Sequence, residues 1–194
     1  GDWSSDVCSS DLSYWQSKDL PQATKDLDRL RNDLRKWGFC LIEDGLSAEQ
    51  CRIFHERLLS QVEAERQAGV DMPTPSGQYC NTLVNKGACF VGCIEQDPAH
   101  VQAGPLIEQL MDETLGKGWI CHSFLANGAD PGGYPQGLHL DQGPMLPLQT
   151  IEAPALVNTM FIPQDVDEIN GGTLVIPGSH QVMIDAGSGG RIGR

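Results

Sequence analysis

Basic side chains are scarce in this chain, which has 13 lysines and arginines against 26 aspartates and glutamates, for a net charge of −13. A protein that binds nucleic acid needs a basic face to neutralise phosphates, and attraction to anionic lipid has the same requirement. The acidic balance therefore argues against a nucleic-acid partner and against a membrane surface as partner.

Long apolar runs are also missing, since none approaches the ~20 residues needed to span a bilayer. No charged-then-apolar pattern typical of a signal peptide stands near the start. The seven cysteines form no Cys-x-x-Cys pair, and Cys89 and Cys93 have the closest spacing. This usage is typical of free, buried thiols in a reducing compartment, so we expect a cytoplasmic protein.

The two ends of the chain differ from the rest. The stretch "DWSSDVCSSDL" from Asp2 to Leu12 resembles one reading frame of a common sequencing-library adapter, and the closing "IGR" resembles the start of the adapter's other strand. We therefore expect residues 1–12 and 191–194 to be non-native. Residues 13–190 would form a single but incomplete domain, with the native protein continuing past both ends.

Apolar periodicity predicts helices first and strands afterwards. Three- and four-residue steps predict helices over Pro21–Phe39, Ala48–Ala68 and Pro105–Gly116, with a loop-rich stretch over 71–87. β-Branched and apolar runs bounded by Gly and Pro then predict three strands, over Trp119–Gly128, Ala155–Pro163 and Gly171–His180. This order indicates an α+β protein whose second part is a sandwich or barrel.

His139 and Asp141 stand one residue apart in "PQGLHLDQGP". In an extended segment, side chains at i and i+2 point to the same face, so an imidazole and a carboxylate would project together, with Leu138 and Leu140 packed on the other side. With a second histidine, such a pair gives the facial triad of non-haem Fe(II) oxygenases. The pair alone is a weak signal, and a His–Asp hydrogen bond of no chemical consequence explains it at least as well.

Three motifs in order carry a resemblance to a known family. These are "NTLVNKGACF" from Asn81, "YPQGLHLDQG" from Tyr134 and "INGGTLVIPGSH" from Ile169. Together they resemble the phytanoyl-CoA dioxygenase family of Fe(II)- and 2-oxoglutarate-dependent oxygenases. The resemblance covers roughly Trp37 to His180. It implies N-terminal helices packed on a double-stranded β-helix, the jelly-roll or cupin-like core, cut short at the C-terminus.

The resemblance also implies roles for particular residues. His139 and Asp141 would be two iron ligands, and Gln136, Thr173 and Asn81 would contact the co-substrate 2-oxoglutarate. The third ligand and an arginine that binds the far carboxylate of 2-oxoglutarate would follow after the end of this chain, so His180 would not be a ligand. With dioxygen as second co-substrate, the reaction would be oxidation of an unactivated C–H bond of a small organic molecule. Asp141 favours hydroxylation over halogenation, because related halogenases have a small residue there.

Two alternatives remain open at this point. A jelly-roll domain could bind a metal or ligand without any redox chemistry, because a scaffold does not fix function. The chain could also be an inactive, truncated piece of the oxygenase. Neither the identity of the substrate nor the oligomeric state is indicated by the sequence.

Overall fold

The computed structural model describes residues 18–139, 141, 154–167 and 169–181. The suspected non-native ends, Leu140 and the stretch 142–153 lie outside the described residues. The described residues form two compact units, one of 18–43 with 175–181 and a larger one that takes the residues from 44 to 174. The expectation of one domain over 13–190 stays a prediction.

The smaller unit is built on helix α1, Leu27–Trp37. The Asp26 side chain accepts a hydrogen bond from the Arg29 backbone N–H at 2.9 Å and so caps the helix, and Gly38 ends it in the left-handed region at φ 82°. The prediction of a helix from Pro21 is wrong at its start, because Thr24 instead forms a parallel bridge with Ile42. Asp26 then provides the natural beginning.

Helix α2, Ala48–Ala68, has the bounds that the sequence predicts. Ser47 and Gln50 form a reciprocal capping box, in which each side chain accepts from the other residue's backbone N–H, at 3.2 and 2.9 Å. Gly69, at φ 65°, ends the helix. Both signals are local in sequence, which is why the bounds could be predicted.

A small antiparallel sheet follows, in the order β1 (Met72–Thr74), β2 (Gly77–Cys80) and β3 (Ala126–Ala129). Its register pairs Tyr79 with Met72 on one side and with Asn127 on the other. A Cβ added at Gly77 would lie 2.2 Å from the carbonyl oxygen of Gly128, so the backbones approach too closely for any side chain there. The hairpin occupies a region predicted as loop.

Two further helices complete the larger unit, α3 (Ala88–Ile94) and α4 (Gly104–Leu115). The first has no counterpart among the predicted elements, whereas the second begins and ends within one residue of its prediction. Four phenylalanine rings each pack against two of the others, with centroid separations of 5.3 to 6.3 Å. They belong to Phe54, Phe90, Phe124 and Phe161. The buried apolar residues of this unit are Phe54, Cys80, Leu83, Phe90, Cys93, Val101, Ile107, Leu110 and Met111.

The predicted strands are largely absent from the described residues. Of Trp119–Gly128 only the end is a strand, in β3, and Ala155–Pro163 has no strand. Gly171–His180 also has none, and its end lies in a 3₁₀ turn over Ser179–Gln181. Helices and one small antiparallel sheet nevertheless make the chain α+β. No helix among the described residues has the length and apolarity required to cross a membrane.

Candidate metal centre

His139 and Asp141 converge although the segment that carries them is not a regular strand. The His139 Nε2 atom lies 3.2 Å from Asp141 Oδ1, and their side chains are 52% and 47% exposed. Two donors in neighbouring positions of an octahedral cation, with bonds of about 2.1 Å, are about 3 Å apart. The pair thus fits a single divalent cation with mixed nitrogen and oxygen ligation.

A second contact fixes which nitrogen of His139 is available. The Nδ1 atom lies 2.7 Å from the carbonyl oxygen of Gly137, which can only accept, so Nδ1–H is the donor. In a neutral imidazole, Nε2 then carries the lone pair and faces the carboxylate. Two acceptors at this separation repel one another unless a cation or a proton lies between them. The geometry therefore suits a cation held between Nε2 of His139 and Oδ1 of Asp141.

Asp141 is held from its other side. Its Oδ2 atom accepts a hydrogen bond from the Nδ2 amide of Asn158, while Oδ1 faces His139. Sequence reasoning missed Asn158, although an amide in the middle of the apolar run "ALVNTMFIP" is a signal that could have found it. The exposed Leu138 also shows that the expected packing behind the pair is wrong for this residue.

A cleft of about 330 Å³ is lined by the residues that precede the pair in the chain, up to Gly137, but not by His139 or Asp141 themselves. Gly137 both lines the cleft and accepts the hydrogen bond from His139. Within the cleft, Gln136 donates from Nε2 to the Tyr79 hydroxyl at 3.2 Å and accepts from Asn127 Nδ2 at 3.5 Å. The Gln136 amide is thereby oriented by two side chains of the sheet. The aromatic ring of Tyr134 also lines the cleft.

The two other residues predicted to contact 2-oxoglutarate lie elsewhere in the larger unit. Asn81 donates from Nδ2 to the Met72 sulfur at 2.8 Å. Thr173 is exposed, and the neighbouring Gly171 runs beside the end of β3, where an added Cβ would be 3.1 Å from that of Ala129. No hydrogen bond or ion pair among the described residues joins Asn81 or Thr173 to His139 or Asp141.

Among the residues that the structure describes, no three histidine, cysteine or acidic side chains come together as a metal site. His180 is engaged within the smaller unit, where its Nε2 lies 3.2 Å from the Arg35 carbonyl oxygen. The described part of the chain therefore offers two donors, His139 and Asp141, and the third ligand stays a prediction.

These observations define the class of protein, which is an α+β protein whose His139 and Asp141 side chains lie 3.2 Å apart. The family model for phytanoyl-CoA dioxygenase (PhyH) matches residues 34–190, and the chain belongs to this family. Members of the family are typically 2-oxoglutarate-dependent dioxygenases that use Fe(II). No solved structure gives a significant match to the chain.

Proposed function

We propose that the protein is an Fe(II)- and 2-oxoglutarate-dependent dioxygenase that oxidises an unactivated C–H bond of a small organic molecule. The observation that carries this proposal is the pair of His139 Nε2 and Asp141 Oδ1, 3.2 Å apart, with the imidazole's other nitrogen bonded to Gly137. Family membership supports the same reaction class. We also propose the jelly-roll as the complete fold, and the cytoplasm as its location, because the described cysteines are free.

In this proposal, His139 and Asp141 would hold the iron together with a third ligand that the described residues do not supply. When bound, Fe(II) couples decarboxylation of 2-oxoglutarate to reduction of dioxygen and so supplies the oxidising power. Gln136, Thr173 and Asn81 bind and orient 2-oxoglutarate. The Gln136 amide is the best placed of these, because Tyr79 and Asn127 already fix its direction in the cleft. Asp141 would occupy the ligand position that halide takes in related halogenases, which favours hydroxylation.

The cleft at Gly137 supports a substrate of modest size. Its volume of about 330 Å³ is at the lower end of the range for small-molecule sites, and its lining joins tyrosine rings and prolines to a few polar groups. The half-exposed donors imply that substrate or neighbouring chain must exclude water from the centre during reaction.

The test is succinate release by the full-length gene product, supplied with Fe(II), 2-oxoglutarate and oxygen. We expect His139→Ala and Asp141→Ala to reduce succinate release by more than about 100-fold, which exceeds the usual cost of changing an outer-shell residue. His122→Ala is the matched control, because this exposed histidine matches nothing in the motifs and should keep the wild-type rate.

Each outcome has a distinct meaning. Normal succinate release by both alanine variants would refute the ligand assignment. A wild-type protein that binds metal but releases no succinate would instead be a non-catalytic metal-binding domain, and the proposed reaction would be wrong.

A further inference from the structure

The orientation of Asp141 depends on one side chain that sequence motifs do not mark. Asn158 donates from Nδ2 to Asp141 Oδ2, and the remaining oxygen Oδ1 is the one that faces His139. We propose that Asn158 is a positioning residue for the metal centre, holding the carboxylate so that a single oxygen meets the cation. The inference rests on the proposed function and adds a residue to it.

The physical need for such a residue follows from the exposure of Asp141. A carboxylate turns easily about its last torsion, and a half-exposed one is not fixed by packing. A donor bound to one oxygen removes that freedom and disfavours binding of a cation through both oxygens. The asparagine amide can do this without adding charge, whereas a lysine or arginine would repel the cation and an acidic residue would have no proton to donate.

The position of Asn158 is set by the core of the same unit. Phe161, in the same segment, is half-buried, and its ring centroid lies 6.2 Å from that of Phe54 and 6.1 Å from that of Phe124. Phe54 in turn packs edge-on against the buried Phe90 at 5.3 Å. The segment that presents the amide is therefore anchored to the helices although it forms no strand.

The two donors of the centre are thus each held by one outer hydrogen bond, but of different kinds. Gly137 holds His139 through a backbone carbonyl, which no side-chain substitution removes. Asn158 holds Asp141 through a side chain, so its contribution can be deleted and restored. Outer-shell partners of this kind typically account for 10–100-fold in metal affinity.

The decisive comparison is between Asn158→Leu and Asn158→Gln in the full-length protein. Leucine and glutamine are similar in size, but only glutamine keeps an amide donor. We expect Asn158→Leu and Asn158→Ala to weaken Co(II) binding by about 10–100-fold, measured by titration of the cobalt absorption bands. Asn158→Gln should recover most of the affinity, because the exposed site has room for a longer side chain.

Controls separate positioning from general damage. Asn85→Ala removes an exposed amide elsewhere in the unit and should leave Co(II) affinity unchanged. Thermal unfolding of the metal-free variants should match the wild type, and the cobalt band positions should shift in Asn158→Leu and Asn158→Ala, which a merely structural residue would not cause.

The outcomes distinguish this inference from the function on which it rests. If the wild type fails to bind Co(II), or if His139→Ala binds it equally well, the metal centre itself is wrong. If His139→Ala loses binding while Asn158→Leu and Asn158→Ala stay within about twofold of the wild type, the centre stands and the positioning role is overturned. Equal losses in the leucine and glutamine variants would also overturn it.

Discussion

At the scale of single residues, the larger unit buries one acidic group and supplies it with partners. Glu65 is 8% exposed, and its Oε1 accepts from Lys86 Nζ, from Gln61 Nε2 at 2.8 Å and from Cys80 Sγ at 3.3 Å. Burial raises the pKa of Glu65, but these hydrogen bonds outweigh burial and leave the pKa below its ordinary value. The carboxylate therefore stays ionised in the fold.

We predict that Lys86→Met destabilises the protein by about 1–3 kcal/mol, because it leaves a buried carboxylate without its cation. Adding Glu65→Gln to this variant should recover part of the loss. Urea unfolding measures both free energies. If the single variant is as stable as the wild type, the pair contributes nothing and the prediction is wrong.

The same group sets an acid dependence with a definite sign. Because the folded pKa of Glu65 is lowered, its contribution to stability is complete above the unfolded value of about 4.3 and is lost as the pH falls through the folded pKa. The variant that carries both Lys86→Met and Glu65→Gln lacks this carboxylate. It should therefore lose less stability than the wild type as the pH falls from about 5 to about 3, a range that includes the unfolded pKa of about 4.3.

At the residue scale, the sequence indicates contacts between residues that are close in the chain but not contacts between residues that are far apart in it. His139 and Asp141 are neighbours in one segment, and the structure places their side chains 3.2 Å apart without a regular strand, while their role as metal ligands stays a prediction. Asn158 and Lys86 act on residues far from them in the chain, Asp141 and Glu65 respectively. No periodicity or motif links such partners, because the contact arises only from folding.

At the scale of elements, the start of α2 makes hydrogen bonds beyond those of its capping box. Besides Ser47, the Gln50 side chain bonds the Pro98 carbonyl at 2.8 Å and the Gln102 N–H at 2.9 Å. The residue thus joins the helix start to the loop before α4. A single glutamine serves both local and long-range structure.

We predict that Ser47→Ala costs about 1 kcal/mol and that Gln50→Ala costs more, since the second substitution removes bonds to three backbone groups. Glu49→Ala is a suitable control, because this exposed first-turn residue bonds only Arg52 among the described contacts. Equal losses for Ser47→Ala and Gln50→Ala, measured by urea unfolding, would contradict the bridging role.

Helices were predicted better than strands for a physical reason. Caps such as Ser47 and stops such as Gly69 act on neighbouring residues, so their effect is visible in the sequence. One of the two partners of β2 in the sheet, β3, lies beyond both α3 and α4 in the chain. Apolar runs such as Ala155–Pro163 have the composition of strands but no strand partner among the described residues.

At the scale of the whole molecule, each of the two compact units contains a thiol that resists ionisation. Burial raises the pKa of Cys40 to about 11, with the charge of Asp33 adding to the shift. Burial likewise raises the pKa of Cys93, in the other unit, to about 12. Both units should therefore respond to alkaline conditions.

The pKa of a thiol in the unfolded chain is about 8.5, well below either folded value. The stability that these protonated thiols contribute is therefore complete below about pH 8.5 and is lost as the pH rises toward 11 and 12. We predict that the urea midpoint falls over this range and falls less in a Cys40→Ala/Cys93→Ala variant. Cys121→Ala is the control, because this thiol is exposed and its removal should leave the pH dependence unchanged. If the urea midpoints of the wild type and the double variant fall in parallel with pH, the prediction is wrong.

The contact between Gly77 and the Gly128 carbonyl also limits how the chain can vary. Even alanine at position 77 would force β2 and β3 apart at the end where Arg66, from α2, forms its ion pair with Asp130. A sequence that carries a larger residue at this point must join its two strands differently. A residue other than glycine at this point is consequently a simple sign that another chain does not share this strand pairing.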